Sequence, residues 1–148
     1  MNYISTRNNQ KNFTFKDVFL KGLADDGGLF VPKLIKKFEK DELDNFNSLN
    51  YNDLAAEIIY PFIGDFMSKD ELISTITKSY SNFRLDEVVK ISNLGKLKVL
   101  ELFHGPTLAF KDIAMQLIGK FDHNHLERNQ KTINIIVTIS GGTKSTYR

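Results

Sequence analysis

No cysteine occurs anywhere in this chain, and that absence removes disulfides, thiolate metal sites and a cysteine nucleophile together. It suits a reducing compartment. No run of apolar residues approaches the length needed to cross a bilayer. The first ten residues, Met1 to Gln10, are polar and lack the apolar core of a secretory signal. An excess of one charge is missing too. Twenty basic residues against 18 acidic ones leave a net charge of +2 with the signs interspersed, so no nucleic-acid surface stands out. There is no internal repeat, no low-complexity tract and nothing that selects an oligomeric state. What remains is a 148-residue chain, 41% hydrophobic and 26% charged, able to bury a core and expected in the cytoplasm.

Along the chain, Thr14 reads as a helix N-cap with Asp17 three residues on. Phe15, Val18 and Phe19 form the apolar stripe of that helix and Gly22 its stop. Asp25-Asp26-Gly27-Gly28 is a turn, followed by an extended piece, Leu29 to Val31, that Pro32 ends. A second helix is expected over about 52–62. A third begins near Ser68, where Ser68 and Glu71 offer a capping box ahead of Leu72, Ile73 and Ile76.

From about Leu94 the texture changes to strand, turn, helix, strand. A strand is expected from Leu97 to Phe103 and a helix after it. A second strand, Thr132 to Ile139, is nearly continuous in β-branched apolar residues, as in a parallel sheet covered on both faces. The fold class expected is therefore α/β: a mainly helical region, 1–93, then the first βαβ unit of a doubly wound domain, 94–148, incomplete as it stands. The polar stretch Asp122 to Lys131 reads as a surface connection. Its two histidines, His123 and His125, lack the spacing and neighbours of a metal site, and no metal is expected.

One lysine has an unusual setting. Lys111 follows the turn His104-Gly105-Pro106-Thr107 and stands at the start of a helix whose Phe110, Ile113, Ala114, Leu117 and Phe121 share one face at 100° per residue. That arithmetic puts Lys111 on the flank of the apolar face. Desolvation and the positive end of the helix dipole would both disfavour the ammonium form there, leaving the amine that attacks a carbonyl. The plainer alternative, a lysine laying its stem along the edge of the core, is the more frequent one on spacing alone.

The last segment, Ser140-Gly141-Gly142-Thr143-Lys144-Ser145-Thr146, follows the buried strand. Its glycines and hydroxyls suit either an anion-holding loop or an ordinary glycine turn. A nucleotide-binding P-loop would need glycine at 138 and 143, where this chain has Thr138 and Thr143. In open α/β sheets ligands lie beyond the carboxyl ends of the strands, so the Lys111 turn and this loop could share a cleft.

These stretches resemble a known family. Tyr3-Ile4-Ser5-Thr6-Arg7, the run Gly22 to Pro32, and above all Glu101 to Asp112 (Glu-Leu-Phe-His-Gly-Pro-Thr-Leu-Ala-Phe-Lys-Asp) are similar to the N-terminal part of threonine synthase, a fold-type II pyridoxal phosphate enzyme. The resemblance implies a small-molecule substrate: O-phosphohomoserine and water become L-threonine and phosphate. It also implies pyridoxal 5'-phosphate as cofactor, with Lys111 the catalytic lysine that bonds its aldehyde, and it reverses the odds on the core-edge alternative. In the family the segment after the buried strand reads Ala-Thr-Ser-Gly-Asp-Thr-Gly. Ser140, Gly141 and Thr143 match and are implied to face the cofactor, while Gly142 replaces the acid and Lys144 a glycine. The family's later cofactor-phosphate loop is not among these residues, so a threonine synthase-like piece without turnover of its own is the expectation. The alternatives are a non-catalytic binding module that keeps only the N-terminal fold, and a different fold-type II pyridoxal phosphate enzyme acting on a hydroxy amino acid.

Overall fold

The computed structural model describes residues 1–64 and 66–129. The chain divides into two compact units, Met1–Ile73 and Ser74–Arg148.

The first unit starts with a strand, β1 (Tyr3–Ser5), paired antiparallel with β2 (Phe30–Pro32) so that Tyr3 faces Pro32 and Ser5 faces Phe30. Between them α1 (Phe15–Lys21) forms because its first turn is closed from both directions. The Thr14 side chain accepts from the Asp17 N–H at 3.2 Å, and the Asp17 carboxylate accepts from the Thr14 N–H at 3.0 Å. Gly22 ends the helix at φ +74°, its N–H donating to the Val18 carbonyl at 3.0 Å. The short helix α2 (Lys40–Phe46) shows no clear apolar stripe in sequence. It starts where the Glu42 carboxylate accepts from the Glu39 N–H. Next, α3 (Tyr51–Ile63) is capped by Asn50, which accepts from the Asp53 N–H at 3.0 Å.

The rings of Phe15, Phe19 and Phe66 pack with centroids 5.2–5.7 Å apart. Tyr3 joins Phe15 and donates its hydroxyl to the Phe62 carbonyl at 2.9 Å. Val18, Ala56, Ile63, Met67 and Leu72 complete the core of this unit. The turn before β2 is clasped to β1: the Asp26 carboxylate accepts from the Ser5 hydroxyl and from the Gly28 N–H, both at 2.8 Å. Gly28 has to be glycine, because a Cβ there would overlap the Ser5 oxygen.

The helix α4 (Lys69–Tyr80) contributes residues to both units and opens on the Ser68–Glu71 capping box foreseen from sequence. In the second unit β3 (Lys90–Leu94) and β4 (Leu97–Glu101) form an antiparallel hairpin. The two-residue connection, Gly95-Lys96, is possible because Gly95 takes φ +62°. The last helix is α5 (Asp112–Asn129), bound to α4 residues by two hydrogen bonds: Tyr80 hydroxyl to the Ile113 carbonyl, 2.9 Å, and Asn124 amide to the Thr75 hydroxyl, 3.0 Å. Ile76, Tyr80, Val88, Leu117 and Phe121 are buried here.

Three expectations need correction. The strand expected over 97–103 stops at Glu101, and among the described residues it pairs antiparallel with β3, which starts inside the stretch read as mainly helical. The surface connection expected from Asp122 onwards is instead helix as far as Asn129. Every fourth residue, Leu117, Phe121 and His125, turns inward, and His125 is buried one turn beyond the last apolar residue of the pattern. A polar residue at an inward position hid that turn. Ala114 and Phe110, placed on the inner face by the arithmetic, are exposed. The strand expected over 132–139, and with it the parallel crossover, lies outside the described residues.

Candidate active site around Lys111

The site is built on the connection between β4 and α5. At the strand's end, the Glu101 carboxylate accepts a short hydrogen bond from the Ser92 hydroxyl on β3 and stands 2.8 Å from His104 Nε2. These bonds, the Ser92 one first, hold the Glu101 carboxyl below the usual carboxylate range. The His104 carbonyl accepts from the Arg84 N–H at 2.9 Å, so ring and main chain of His104 are both tied.

The next four residues turn sharply. The Leu108 N–H donates to the Gly105 carbonyl at 3.2 Å, and Leu108 takes φ +61°, a conformation that costs a residue with a side chain roughly 1–2 kcal/mol. Asp112 holds this turn. It is only 4% exposed, and its two oxygens accept from the Thr107 N–H at 2.8 Å and the Thr107 hydroxyl at 2.7 Å. Gly105 lies directly against it, and a Cβ there would overlap the Asp112 side chain. A second turn follows, with the Asp112 N–H donating to the Ala109 carbonyl at 3.0 Å, and the helix proper starts.

Lys111 precedes the first residue of α5, and its carbonyl accepts from the Met115 N–H at 2.9 Å. Its side chain is exposed, and so are Phe103, Leu108 and Phe110 around it in sequence. The dehydrated flank expected for Lys111 is therefore not present among the described residues. The flank itself is uncovered: Ala114 and Ile118, three and seven residues on along the same side of the helix, are exposed as well. Lys111 owes its setting to the turn rather than to burial. Ser140, Gly141 and Thr143 lie outside the described residues.

From sequence alone, Asp112 reads as a charge at the helix start and His104 as part of the turn. The geometry gives each a definite partner, Thr107 and Glu101. A carboxylate at the first position of a helix, five residues after a threonine in a Gly-Pro turn, was the available signal for the first. Nothing local announced Ser92, which reaches Glu101 only through the hairpin register.

The family profile described as "Threonine synthase N terminus" matches residues 2–80. The chain is 40% identical over 147 residues to a threonine synthase of Pseudomonas aeruginosa, covering 98% of this chain and 31% of that protein. It is 38% identical over 145 residues to threonine synthase-like 2 of Homo sapiens, covering 97% and 30%. Among solved structures, the crystal structure of pyridoxal phosphate-bound threonine synthase from Brucella melitensis superposes with a TM-score of 0.84 at 35% identity, covering 88% of this chain and 28% of that one. The yeast threonine synthase does so at 0.82 and 38%, covering 86% and 27%. The chain thus spans under a third of the length of the curated relatives it matches.

Proposed function

Since the chain belongs to the threonine synthase family, whose N-terminal portion it matches, we propose that it serves the pyridoxal phosphate-dependent conversion of O-phosphohomoserine and water to L-threonine and phosphate, in the cytoplasm. In this reading residues 1–93 are the N-terminal domain and 94–148 open the cofactor-binding α/β domain.

Lys111 is the catalytic residue of the proposal. The residues present fit the cofactor's reactive end: an exposed primary amine, on main chain fixed at Thr107 and at Met115, suits a bond to an aldehyde. When bound, the cofactor supplies an electron sink for carbanions. The Lys111 Nζ is then the base that takes a proton from one substrate carbon and returns it to another. Glu101, held ionised by Ser92, fixes the His104 ring at the entry to the turn. Ser140, Gly141 and Thr143 are proposed to face the cofactor from the following loop, where Gly142 offers no acid side chain and Lys144 no glycine freedom.

The observation that supports this reading best is the clamped, exposed Lys111 within the Glu101–Asp112 stretch. The test is reductive trapping. The chain is mixed with pyridoxal phosphate, reduced with borohydride and mapped by peptide mass. The adduct is expected to concentrate on Lys111 and to vanish from that peptide in Lys111→Ala. Adduct spread evenly over the exposed lysines would overturn the assignment.

A further inference from the structure

Lys111 has a long, flexible side chain, and nothing among the described residues holds its amine. The order around it lies in the main chain, and that order converges on one carboxylate. Asp112 is the next residue, buried in a chain where most charged side chains are solvated. Both its oxygens are used, and both bonds come from Thr107, four residues before the lysine. The turn so closed contains Leu108 at positive φ, a conformation that persists only where its surroundings over-determine it. Gly105 leaves just enough room for the carboxylate to reach Thr107.

We propose that Asp112 is a positioning residue for Lys111: by locking Thr107 it fixes the direction in which the lysine leaves the main chain. The carboxylate sits on the far side of the lysine's own peptide from the threonine it binds, so the Thr107–Asp112 link closes a loop with Lys111 inside it. Rotation of the 108–111 main chain is thereby restricted, and the amine samples a narrower region than a lysine within an open turn. Asp112 neither touches the substrate nor exchanges a proton with it. It acts through Thr107 and the turn. This rests on the reading of Lys111 as the cofactor lysine.

The experiment uses the whole chain and the same trapping reaction, with Lys120 as internal reference: it is exposed and lies on α5 as well. The ratio of adduct on Lys111 to adduct on Lys120 is measured for the wild type, Asp112→Ala, Thr107→Val and Thr107→Ser. A fall of about tenfold is expected in Asp112→Ala, on the scale that displacing a reacting group produces. Thr107→Val, which removes the hydroxyl bond at nearly constant shape, should lower the ratio by a smaller factor, and Thr107→Ser should restore it. Because unfolding would also bring the two lysines to equal reactivity, far-UV circular dichroism and thermal melts are read on every variant, and only variants that keep the wild-type fold are compared. If Asp112→Ala does not fold, the valine and serine pair carries the test alone. An unchanged ratio in Thr107→Val overturns the proposal, whatever Asp112→Ala does, because then damage to the helix start explains the effect. Absence of Lys111 preference in the wild type is a different failure. It removes the assignment of Lys111 itself.

Discussion

Gly105 is where one hydrogen atom decides the local geometry. Its missing side chain lets the Asp112 carboxylate lie against the main chain of the turn. Gly105→Ala is therefore expected to destabilise the chain by about 1–3 kcal/mol, the usual cost of overpacking a closed site. Thermal melts read this, and an unchanged melting temperature would show that the turn can shift. At this scale the sequence was legible only in part. Lys111 could be singled out because its neighbours' spacing and the His-Gly-Pro-Thr turn are local facts. Its exposure could not, because an apolar spacing predicts a covered face, and here Phe110, Ala114 and Ile118 beside it are exposed. The Glu101–Ser92 bond was hidden for another reason: those residues meet across a hairpin whose first strand carries no alternation of burial.

Among the elements, those with closed first turns were the easiest to read. Thr14 with Asp17 and Ser68 with Glu71 mark α1 and α4 in sequence, and both boxes form. Thr14→Ala should lower stability by about 1 kcal/mol, as loss of an N-cap generally does. Urea denaturation measures it, with no change of slope expected. The hairpin was missed, and its burial explains why. Ile91, Leu94, Leu97 and Leu100 are all more than half exposed, so neither strand shows an inward face for a period-two pattern to reveal. A two-stranded ribbon with little apolar cover is marginal in water. Its amides are expected to exchange with solvent much faster than those of α4, where Leu72 and Ile76 are fully buried. Equal protection in hydrogen-exchange mass spectrometry would mean that this ribbon is covered in solution. The end of α5 went unread because His125 occupies an inward position that sequence patterns reserve for apolar residues.

For the molecule as a whole, acid response follows from its carboxylates. Asp17, Asp26, Glu42 and Glu101 are held below their ordinary values, chiefly by side-chain hydrogen bonds from Thr14, Ser5, Lys36 and Ser92 respectively. A carboxyl lowered by folding contributes its stability in full above the unfolded value, about 4, and loses it as pH falls through the folded value. Asp122 has the opposite sign. Burial raises it, so its contribution is intact below the unfolded value and is lost as pH rises through the folded one. Among the described residues the four outnumber the one, and the melting temperature should fall as pH drops below about 4. Asp122→Asn should raise it at neutral pH. A melting temperature that holds or climbs in acid would contradict this balance. Chemical ageing follows from the clasp at the turn before β2. Asp26-Gly27 is the kind of dipeptide that slowly rearranges to isoaspartate when the glycine nitrogen attacks the neighbouring carboxyl. Here that nitrogen is turned to the Ala24 carbonyl, while the carboxylate is engaged by Ser5 and Gly28. Folded protein should keep this bond intact through storage, so isoaspartate appearing at position 26 would date how long a preparation had spent unfolded.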